Sequence, residues 1–318
     1  MGNCNSICYI WAYDLLENRR LIIVADRIKN LVRNINYLTK HSLWDQREED
    51  IVYLTEKILN DGIYEYGISD IEEIIPHILT KEESLDEILR IKQSFVRTGD
   101  GECKIMMGID QPFQKYEKEI DERLRQMLSI PREGLMVGIN KSYYLSLNGK
   151  FANYYRRFAY DFRKVYSQFL NPYMVYIDAG FIGYDSRLCG RNPETDLHYQ
   201  KWCDLFADKD IAVVCGGGIL DKLQYDVFYK AKSKKLITGP RINAWDEHEI
   251  IIDKIVETVS RDTILVFILG MAGKAMIPEL MDYGYTCWDV GHLAKYYNAY
   301  MSEMVWSNEA RVKFYAPD

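Results

Sequence analysis

From residue 94 onwards the chain alternates short apolar runs with longer amphipathic stretches. The apolar runs are Ser94–Val96, Leu135–Ile139, Tyr173–Ile177, Ile211–Cys215, Lys235–Thr238, Ile264–Leu269 and Thr286–Val290. Short runs without strict apolar–polar alternation are typical of strands buried on both faces of a parallel sheet. The pattern therefore predicts an α/β fold, with a Rossmann-like, mostly parallel sheet and helices on both of its faces.

Between and before these runs, apolar residues recur at helical spacing. The predicted helices are Asp70–Leu79, Lys81–Lys92, Phe113–Leu128, Phe151–Leu170, Leu197–Phe206, Asp221–Lys232, Glu247–Val259 and Gly273–Met281. Thr80 and Glu83 have the spacing of a capping box, in which each side chain accepts a hydrogen bond from the other residue's backbone N–H. Pro76 is expected to kink or shorten the first of these helices.

The start of the chain forms a region of its own, because no glycine occurs between Gly2 and Gly62 and the apolar residues have near-helical spacing. We predict an α-helical N-terminal extension over 1–62 and one sheet domain over 63–318. Isolated helices of this length are marginal in water, so their apolar faces need a partner. That partner is the sheet domain, a second copy of the chain in a homo-oligomer, or an acceptor-bearing protein.

Composition and charge limit which partners and which cellular locations the sequence favours. The net charge of -7 argues against a nucleic-acid partner held by phosphate contacts. No apolar run approaches the ~20 residues that a transmembrane segment needs. The seven cysteines are scattered and form no C-x-x-C pair, which favours a reducing compartment. The expected location is the cytoplasm, with the inner membrane surface as an alternative.

Candidate chemistry is concentrated in Ser94–Gly108, where a short strand is followed by a glycine-rich turn. The carboxylates of Asp100 and Glu102 on this turn are oxygen ligands of the kind that a hard divalent cation takes. Arg97 supplies a planar cationic group suited to phosphate. The alternative is an ordinary tight turn, because Asp and Gly both tolerate turn geometry.

Glycines also follow most of the later predicted strands. They are Gly216, Gly217 and Gly218 after one strand, and Gly239, Gly270 and Gly291 after three others. Ligands of open parallel sheets bind beyond the carboxyl ends of the strands, where helix N-termini present free N–H groups to phosphate. We therefore expect Asp100, Gly217, Gly239, Gly270 and His292 to lie along one edge of the sheet.

A dinucleotide-binding oxidoreductase is the first function to weigh against this pattern. The triple glycine that begins at Gly216 does not complete a G-x-G-x-x-G fingerprint, because Asp221 stands where the last glycine is needed. No Walker A sequence occurs in the chain either. An NAD-linked Rossmann oxidoreductase is accordingly the less favoured alternative.

Five segments in order carry a more specific signal. They are VRTGDGE, IAVVCGGG, KKLITGPRINAW, ILVFILGMAGKAM and GYTCWDVGHL. This set resembles the bacterial glycosyltransferases of the GT-D fold, which have an Asp-x-Glu motif in an RxGDGE context and a later D-[IV]-G-H segment. The resemblance covers about residues 64–300. It implies a GT-D-like domain that transfers a sugar from a nucleotide-diphosphate donor, typically UDP-linked, with Mn²⁺ or Mg²⁺.

The resemblance also implies roles for individual residues. Asp100, Glu102 and His292 are the implied catalytic residues, and Asp100 and Glu102 are the implied metal ligands. The implied donor-binding residues are Arg97, Gly99, Gly216, Gly217, Gly239, Asn243, Gly270 and Asp289. Three roles remain open for His292: a metal ligand, a hydrogen-bond donor to phosphate, and a histidine whose ring is hydrogen-bonded only to backbone groups. Glu102→Gln is expected to reduce turnover greatly with little change in melting temperature.

Two departures from the family pattern concern the donor. The family's LGP-like turn lacks its proline here, at Leu269–Gly273, and Gly216–Leu220 replaces features that often follow the fourth strand. The donor base or sugar can therefore differ. The acceptor is expected to be a glycan or glycoprotein, as in polysaccharide biosynthesis or protein glycosylation. A catalytically inactive module that binds nucleotide sugars or polysaccharide is the alternative from another class.

Overall fold

The computed structural model describes residues 76–141, 162–183 and 191–304. They form one eight-stranded sheet in which every pair of neighbouring strands is parallel, in the order β1-β4-β3-β2-β8-β7-β5-β6. The strands are β1 His77–Ile78, β2 Ser94–Arg97, β3 Leu135–Ile139, β4 Val175–Asp178, β5 Asp210–Gly216, β6 Ser233–Gly239, β7 Ile264–Ile268 and β8 Cys287–Asp289. The predicted α/β class is confirmed.

Helices cover both faces of this sheet. They are α1 Lys81–Ile91, α2 Asp100–Met106, α3 Lys118–Ser129, α4 Pro193–Phe206, α5 His248–Thr258, α6 Gly270–Asp282 and α7 Leu293–Met301, with 3-10 turns at Ala179–Ile182 and Ala244–Glu247. Successive residues of one strand enter different cores: Phe95 belongs to the core that includes α1, α4 and α7, whereas Val96 belongs to the core that includes α2, α3, α5 and α6. This alternation is what a strand covered on both faces requires.

The capping box predicted at the start of α1 is present. The Thr80 N–H donates to Glu83 Oε2 at 2.7 Å, and the Glu83 N–H donates to Thr80 Oγ1 at 3.2 Å. Lys92 ends the helix in the left-handed conformation, with φ of 57°. The boundaries of this helix therefore follow from local sequence, as the capping pattern indicated.

The helix predicted for Asp221–Lys232 is wrong, because this segment forms consecutive turns. Side-chain oxygens accept hydrogen bonds from backbone N–H groups that would donate to backbone carbonyls in a helix. Asn298 Oδ1 on α7 accepts hydrogen bonds from the N–H groups of Gln224 at 2.8 Å and Tyr225 at 3.1 Å. Asp226 Oδ1 accepts from the Phe228 N–H at 2.9 Å. Such side-chain acceptors offer the backbone an alternative to helical bonds.

Two further helix predictions need correction. The end of the helix predicted for Asp70–Leu79 is instead strand β1, which directly follows Pro76 and pairs with β4. The helix predicted to start at Phe113 starts at Lys118, because the Tyr116 N–H donates to Asp110 Oδ1 at 2.8 Å and holds a turn there.

Several predictions fall on residues outside the described ranges. They include the extension over 1–62, its part in a homo-oligomer, and the first part of the helix predicted for Phe151–Leu170; residues 162–166 of that helix are described and helical. These points stay predictions where the structure describes nothing. Within the described ranges, no helix is long and apolar enough to cross a membrane.

The strand order fixes where the predicted site residues lie. Five neighbouring strands, in the order β2-β8-β7-β5-β6, end at the same edge of the sheet. We call this the carboxyl edge. The residues that end or follow these strands are, in that spatial order, Asp100, His292, Gly270, Gly217 and Gly239. Their predicted position along one edge is what the topology shows.

Candidate functional site

The start of α2 is the best-defined part of the carboxyl edge. Glu102 is the third residue of this helix, and its Oε2 accepts a hydrogen bond from the Gly99 N–H at 2.7 Å. The Gly99 carbonyl in turn accepts from the Tyr166 hydroxyl at 3.3 Å. The turn before the helix is held as well, since Thr98 Oγ1 donates to the Gly138 carbonyl at 2.8 Å. The backbone that presents Asp100 is therefore fixed on several sides.

The two carboxylates of the Asp-x-Glu motif differ in environment. Asp100 is exposed, whereas Glu102 is only 4% exposed. The structure places the motif in the first turn of a helix, where residues two apart do not face each other. The capping bond turns the Glu102 carboxylate back towards Gly99, the residue before Asp100. Both carboxylates therefore belong to the same helix start, but only that of Asp100 is open to solvent.

Lys274 on α6 is a site residue that the sequence analysis missed. Its side chain is 10% exposed, and its ammonium group forms a hydrogen-bonded ion pair with Glu102 Oε1. The helices that carry the pair approach closely, since a Cβ added to Gly101 would lie 2.9 Å from Met271 Cε. In the sequence this lysine stands four residues after Gly270, in GMAGK. Nothing near it in the sequence indicates that it pairs with an acidic residue.

Arg97 and Asp289 form a second charged pair, between the neighbouring strands β2 and β8. Arg97 Nη2 donates to Asp289 Oδ1 at 3.2 Å, Arg97 Nε donates to the Asp289 carbonyl at 3.0 Å, and the Arg97 N–H donates to Asp289 Oδ2 at 3.0 Å. Arg97 Nη1 also donates to the Ala179 carbonyl at 3.4 Å. The guanidinium and the carboxylate are thus mutually balanced in charge and join the two strands.

Gly291 is required by this pair. Its φ is +46°, and a Cβ built on it would lie 2.0 Å from Arg97 Nη2. We expect Gly291→Ala to cost more than the ~1–2 kcal/mol of an alanine forced into left-handed backbone, because Arg97 must also move. Gly284→Ala is the matched control, since Gly284 has φ of +87° and no heavy atom within 4 Å of an added Cβ. Urea unfolding of both variants measures the difference, and equal losses of stability would contradict the Arg97 contact.

His292 lies at the same edge, directly after β8 and Gly291. Burial, together with the positive charges of Lys295, Arg97 and Lys274, lowers the pKa of His292 to about 4. Its imidazole is therefore neutral near pH 7. A neutral imidazole can bind a metal ion or take part in a hydrogen bond, but it adds no positive charge for a diphosphate. The role of a hydrogen-bond donor to phosphate, which the sequence left open, would therefore fall to a neutral ring N–H of His292.

The lowered histidine pKa values predict how stability depends on pH. Burial also lowers the pKa of His198 to about 4. An unfolded histidine has a pKa of about 6.5. The unfolded chain therefore binds more protons between these two values, and the free energy of unfolding should fall as the pH falls from about 6.5 to about 4. Urea unfolding across this range should show a shallower fall in His198→Gln and in His292→Gln; slopes equal to wild type would contradict the buried neutral state.

The β5–β6 end of the edge contains the predicted glycines in close contact. Gly216 and Gly239 are register partners, and the Gly217 N–H donates to the Gly239 carbonyl at 3.1 Å. An added Cβ would lie 2.8 Å from Ile219 Cδ1 at Gly216 and 2.7 Å from Ile251 Cδ1 at Gly239. Packing thus accounts for the absence of side chains at these two positions, whatever binds above them.

Asn243 and Arg241 follow β6 in the segment GPRINAW. Asn243 Oδ1 accepts from the Lys115 N–H at 2.9 Å, and the Asn243 N–H donates to the Phe113 carbonyl at 2.9 Å. Asn243, predicted to bind donor, thus anchors the loop before α3 in this structure. Arg241 is an exposed residue that the sequence analysis did not single out; its Nε donates to the Gly217 carbonyl.

The side chains at the start of α2 can be tested for their fit to a divalent cation. Within the described residues, no three Asp, Glu, His or Cys side chains cluster in a way that could hold a metal ion. Mg²⁺ in phosphate sites commonly takes only one or two carboxylates and completes its shell with substrate oxygens and water. The open Asp100 carboxylate, with Glu102 on the same helix turn, fits a site of that kind.

Comparison with known proteins places this site in a family context. A family model described as glycosyltransferase GT-D fold matches residues 95–317. A probable glycosyl transferase of Streptococcus gordonii is 30% identical over 251 residues, which are 76% of this chain and 35% of the relative. A Streptococcus pneumoniae glycosyltransferase, GlyD, is 24% identical over 68% of this chain and 26% of its own length. The chain thus spans about a third or less of these relatives.

Solved structures show the same architecture. A domain described as having a distinct glycosyltransferase fold superposes with a TM-score of 0.66 at 24% identity, covering 75% of this chain and 86% of that one. A new glycosyltransferase from Streptococcus sanguinis superposes with a TM-score of 0.62 at 25% identity, covering 72% of this chain and 85% of that one.

Proposed function

This chain belongs to the family of the glycosyltransferase GT-D fold, and we propose that it is a glycosyltransferase whose donor is a nucleotide-diphosphate sugar, a UDP-sugar. We further propose that the reaction needs Mn²⁺ or Mg²⁺ and that the acceptor is a glycan or glycoprotein. The observation that carries the proposal is the solvent-exposed carboxylate of Asp100 at the carboxyl edge, where the ion pairs Lys274–Glu102 and Arg97–Asp289 also lie.

The position of Asp100 supports donor binding at this edge. It follows β2, which lies next to β8 and two strands from β7. The α6 helix begins directly after β7, and no side chain caps its N-terminus. Uncapped N–H groups at a helix N-terminus favour anionic groups such as a diphosphate. A donor bound above these strands therefore meets helix N–H groups on one side and the Asp100 carboxylate on the other.

The residues at the start of α2 would hold the cation. Asp100 offers an exposed carboxylate, and Glu102 is the second candidate ligand on the same turn. When bound, a divalent cation neutralises the negative charge that develops on the departing diphosphate. The neutral imidazole of His292 is compatible with a place near that cation, which a protonated imidazole would not be.

The competing oxidoreductase function loses further support from the fold. A dinucleotide fingerprint needs a glycine-rich turn that opens a helix after its strand. The segment after Gly216 forms turns instead, within the described residues 217–230. The inactive nucleotide-sugar-binding module remains an outcome of the experiment below.

The proposal is tested by measuring the release of free nucleoside diphosphate from a panel of nucleotide sugars. Each donor is incubated with the full chain in Mn²⁺, in Mg²⁺ and in excess EDTA. Slow hydrolysis is expected for a UDP-sugar with metal, with loss in EDTA and recovery on adding Mn²⁺. Donor binding without release under any condition would favour the binding module. Release that is insensitive to EDTA would overturn the metal requirement, and release from another nucleotide sugar would overturn the UDP assignment.

A further inference from the structure

We infer that the ammonium group of Lys274 binds the diphosphate of the donor, in addition to the divalent ion. Until the ion and the donor bind together, this ammonium group stays paired with Glu102. The inference rests on the proposed function, because it concerns how that donor is held. It assigns Lys274 two alternative partners: the Glu102 carboxylate in the donor-free protein, and the diphosphate in the complex.

The first argument is the balance of charge where β2, β8 and β7 end. Arg97 is paired with Asp289, and Lys274 is paired with Glu102. The low pKa of about 4 leaves His292 neutral at neutral pH. Asp100 adds one negative charge, and Lys295, whose positive charge acts on His292, adds one positive charge, so these seven side chains sum to about zero. A diphosphate that arrives without a cation therefore meets no net positive charge from them, although it carries negative charge itself.

The second argument is that one Glu102 oxygen is occupied by Lys274. Oε2 accepts from the Gly99 N–H, and Oε1 is paired with the Lys274 ammonium. A divalent ion that binds Glu102 as well as Asp100 must compete with this ammonium, because two cations on one carboxylate oxygen repel each other. The ion alone should therefore bind weakly, chiefly through the open Asp100.

The third argument is that the released ammonium would have a suitable place to go. Lys274 is in the second turn of α6, whose uncapped N-terminus lies at the carboxyl edge. A lysine side chain has a flexible four-carbon stem and donors that can be reoriented. A small movement from Glu102 towards the helix start would bring the ammonium to a diphosphate bound there. An unpaired buried ammonium would be costly, and the diphosphate would give Lys274 a new partner.

This exchange makes the binding of metal and donor cooperative. Lys274 would leave Glu102 when an ion binds there and would pair with the diphosphate instead, so each ligand would improve the affinity for the other. By linkage the factor is the same in both directions, and values of about 5- to 150-fold are typical. Loss of the lysine charge should remove the part of this coupling that comes from the exchange and leave the part that comes from direct attraction between the ion and the diphosphate. It should also raise the affinity for the metal alone, because Glu102 is then free of its competing cation.

Titration calorimetry of the full chain tests this inference with MnCl₂ alone, UDP alone, and UDP in saturating Mn²⁺. For wild type we expect Mn²⁺ to raise UDP affinity by about tenfold or more. In Lys274→Gln, whose amide can still donate to Glu102, the factor should fall well below the wild-type value, to the part that comes from direct attraction between the ion and the diphosphate. Mn²⁺ alone should bind this variant more tightly than it binds wild type. Lys274→Arg should restore much of the coupling, since it keeps the charge. Lys104→Met, which removes a lysine charge from α2 itself, should leave the factor at the wild-type value.

The outcomes separate this inference from the proposed function. Mn²⁺-dependent UDP binding with the same coupling in wild type and Lys274→Gln overturns the role of Lys274 and leaves the function standing. Absence of Mn²⁺-dependent UDP binding in wild type overturns the proposed donor and metal themselves. If circular dichroism shows that Lys274→Gln is unfolded, the Lys274→Arg variant decides, because tenfold weaker coupling in a folded variant that keeps the charge contradicts the exchange.

Discussion

Asp100→Asn is expected to lower turnover by about a hundredfold or more, the scale seen when one preorganised electrostatic group is removed from an active site. The melting temperature should change by only a few degrees. The Asp100 carboxylate is exposed, and exposed substitutions usually change the free energy of unfolding by less than about 0.5 kcal/mol. The first-turn position adds at most a helix-dipole contribution of about 0.3–1 kcal/mol. Initial rates of nucleotide release and a thermal melt measure the two effects.

Glu133→Gln is the matched control for this variant. Glu133 is also an exposed carboxylate, but it lies just before β3, at the opposite end of the strands from the carboxyl edge. Its substitution removes the same charge from the chain without touching the site. Turnover of Glu133→Gln should equal that of wild type. Equal turnover in Asp100→Asn at saturating Mn²⁺ would exclude Asp100 from the chemistry.

The parts of the fold that the sequence predicted correctly are those fixed locally. The central strands β2, β3, β5, β7 and β8 are almost entirely buried, and the short length of their apolar runs distinguishes them from helices. Thr80 and Glu83 define the start of α1 because both capping bonds lie within four residues. The edge on which Asp100 and His292 lie also follows, since the carboxyl ends of parallel strands share an edge.

The wrong and missed features depend on contacts between distant residues. Asn298 takes backbone N–H groups of Gln224 and Tyr225, and nothing within Asp221–Lys232 signals an acceptor more than seventy residues away. Lys274 is 172 residues from Glu102, so their pairing could not be read from spacing. Likewise, Arg97 and Asp289 were assigned to the donor, and only the structure shows that they bond to each other. The donor-binding role of Arg97 and Asp289 stays a prediction.

The Lys274 contact changes what is expected of Glu102. The sequence alone led us to expect that Glu102→Gln lowers turnover and leaves the melting temperature nearly unchanged. In the structure both partners are at least nine-tenths buried, with relative exposures of 4% for Glu102 and 8% for Lys274. Breaking a buried ion pair by removing one partner costs about 3–5 kcal/mol, because the other charge is left uncompensated. Glu102→Gln should therefore be destabilising as well as inactive.

The fall in melting temperature of Glu102→Gln shows whether stability is lost through the unpaired lysine charge or through the capping hydrogen bond to Gly99. Glutamine at the third helical position still accepts the N-cap N–H, so the bond to Gly99 can persist. The loss then comes mainly from the unpaired Lys274 ammonium. For a domain of this size, about 3 kcal/mol corresponds to a fall in melting temperature of about 6 °C or more. A thermal melt of Glu102→Gln beside Asp100→Asn measures this difference directly.

The double variant Glu102→Gln/Lys274→Met isolates the pair. Replacing both partners removes the uncompensated charge, and such replacements are often neutral or stabilising relative to a buried ion pair. We therefore expect the double variant to regain most of the lost melting temperature but none of the turnover. This combination would show that the pair is dispensable for the fold and needed for catalysis. If the double variant melts no higher than Glu102→Gln, the loss does not arise from an uncompensated lysine, and the structural role of the pair is overturned.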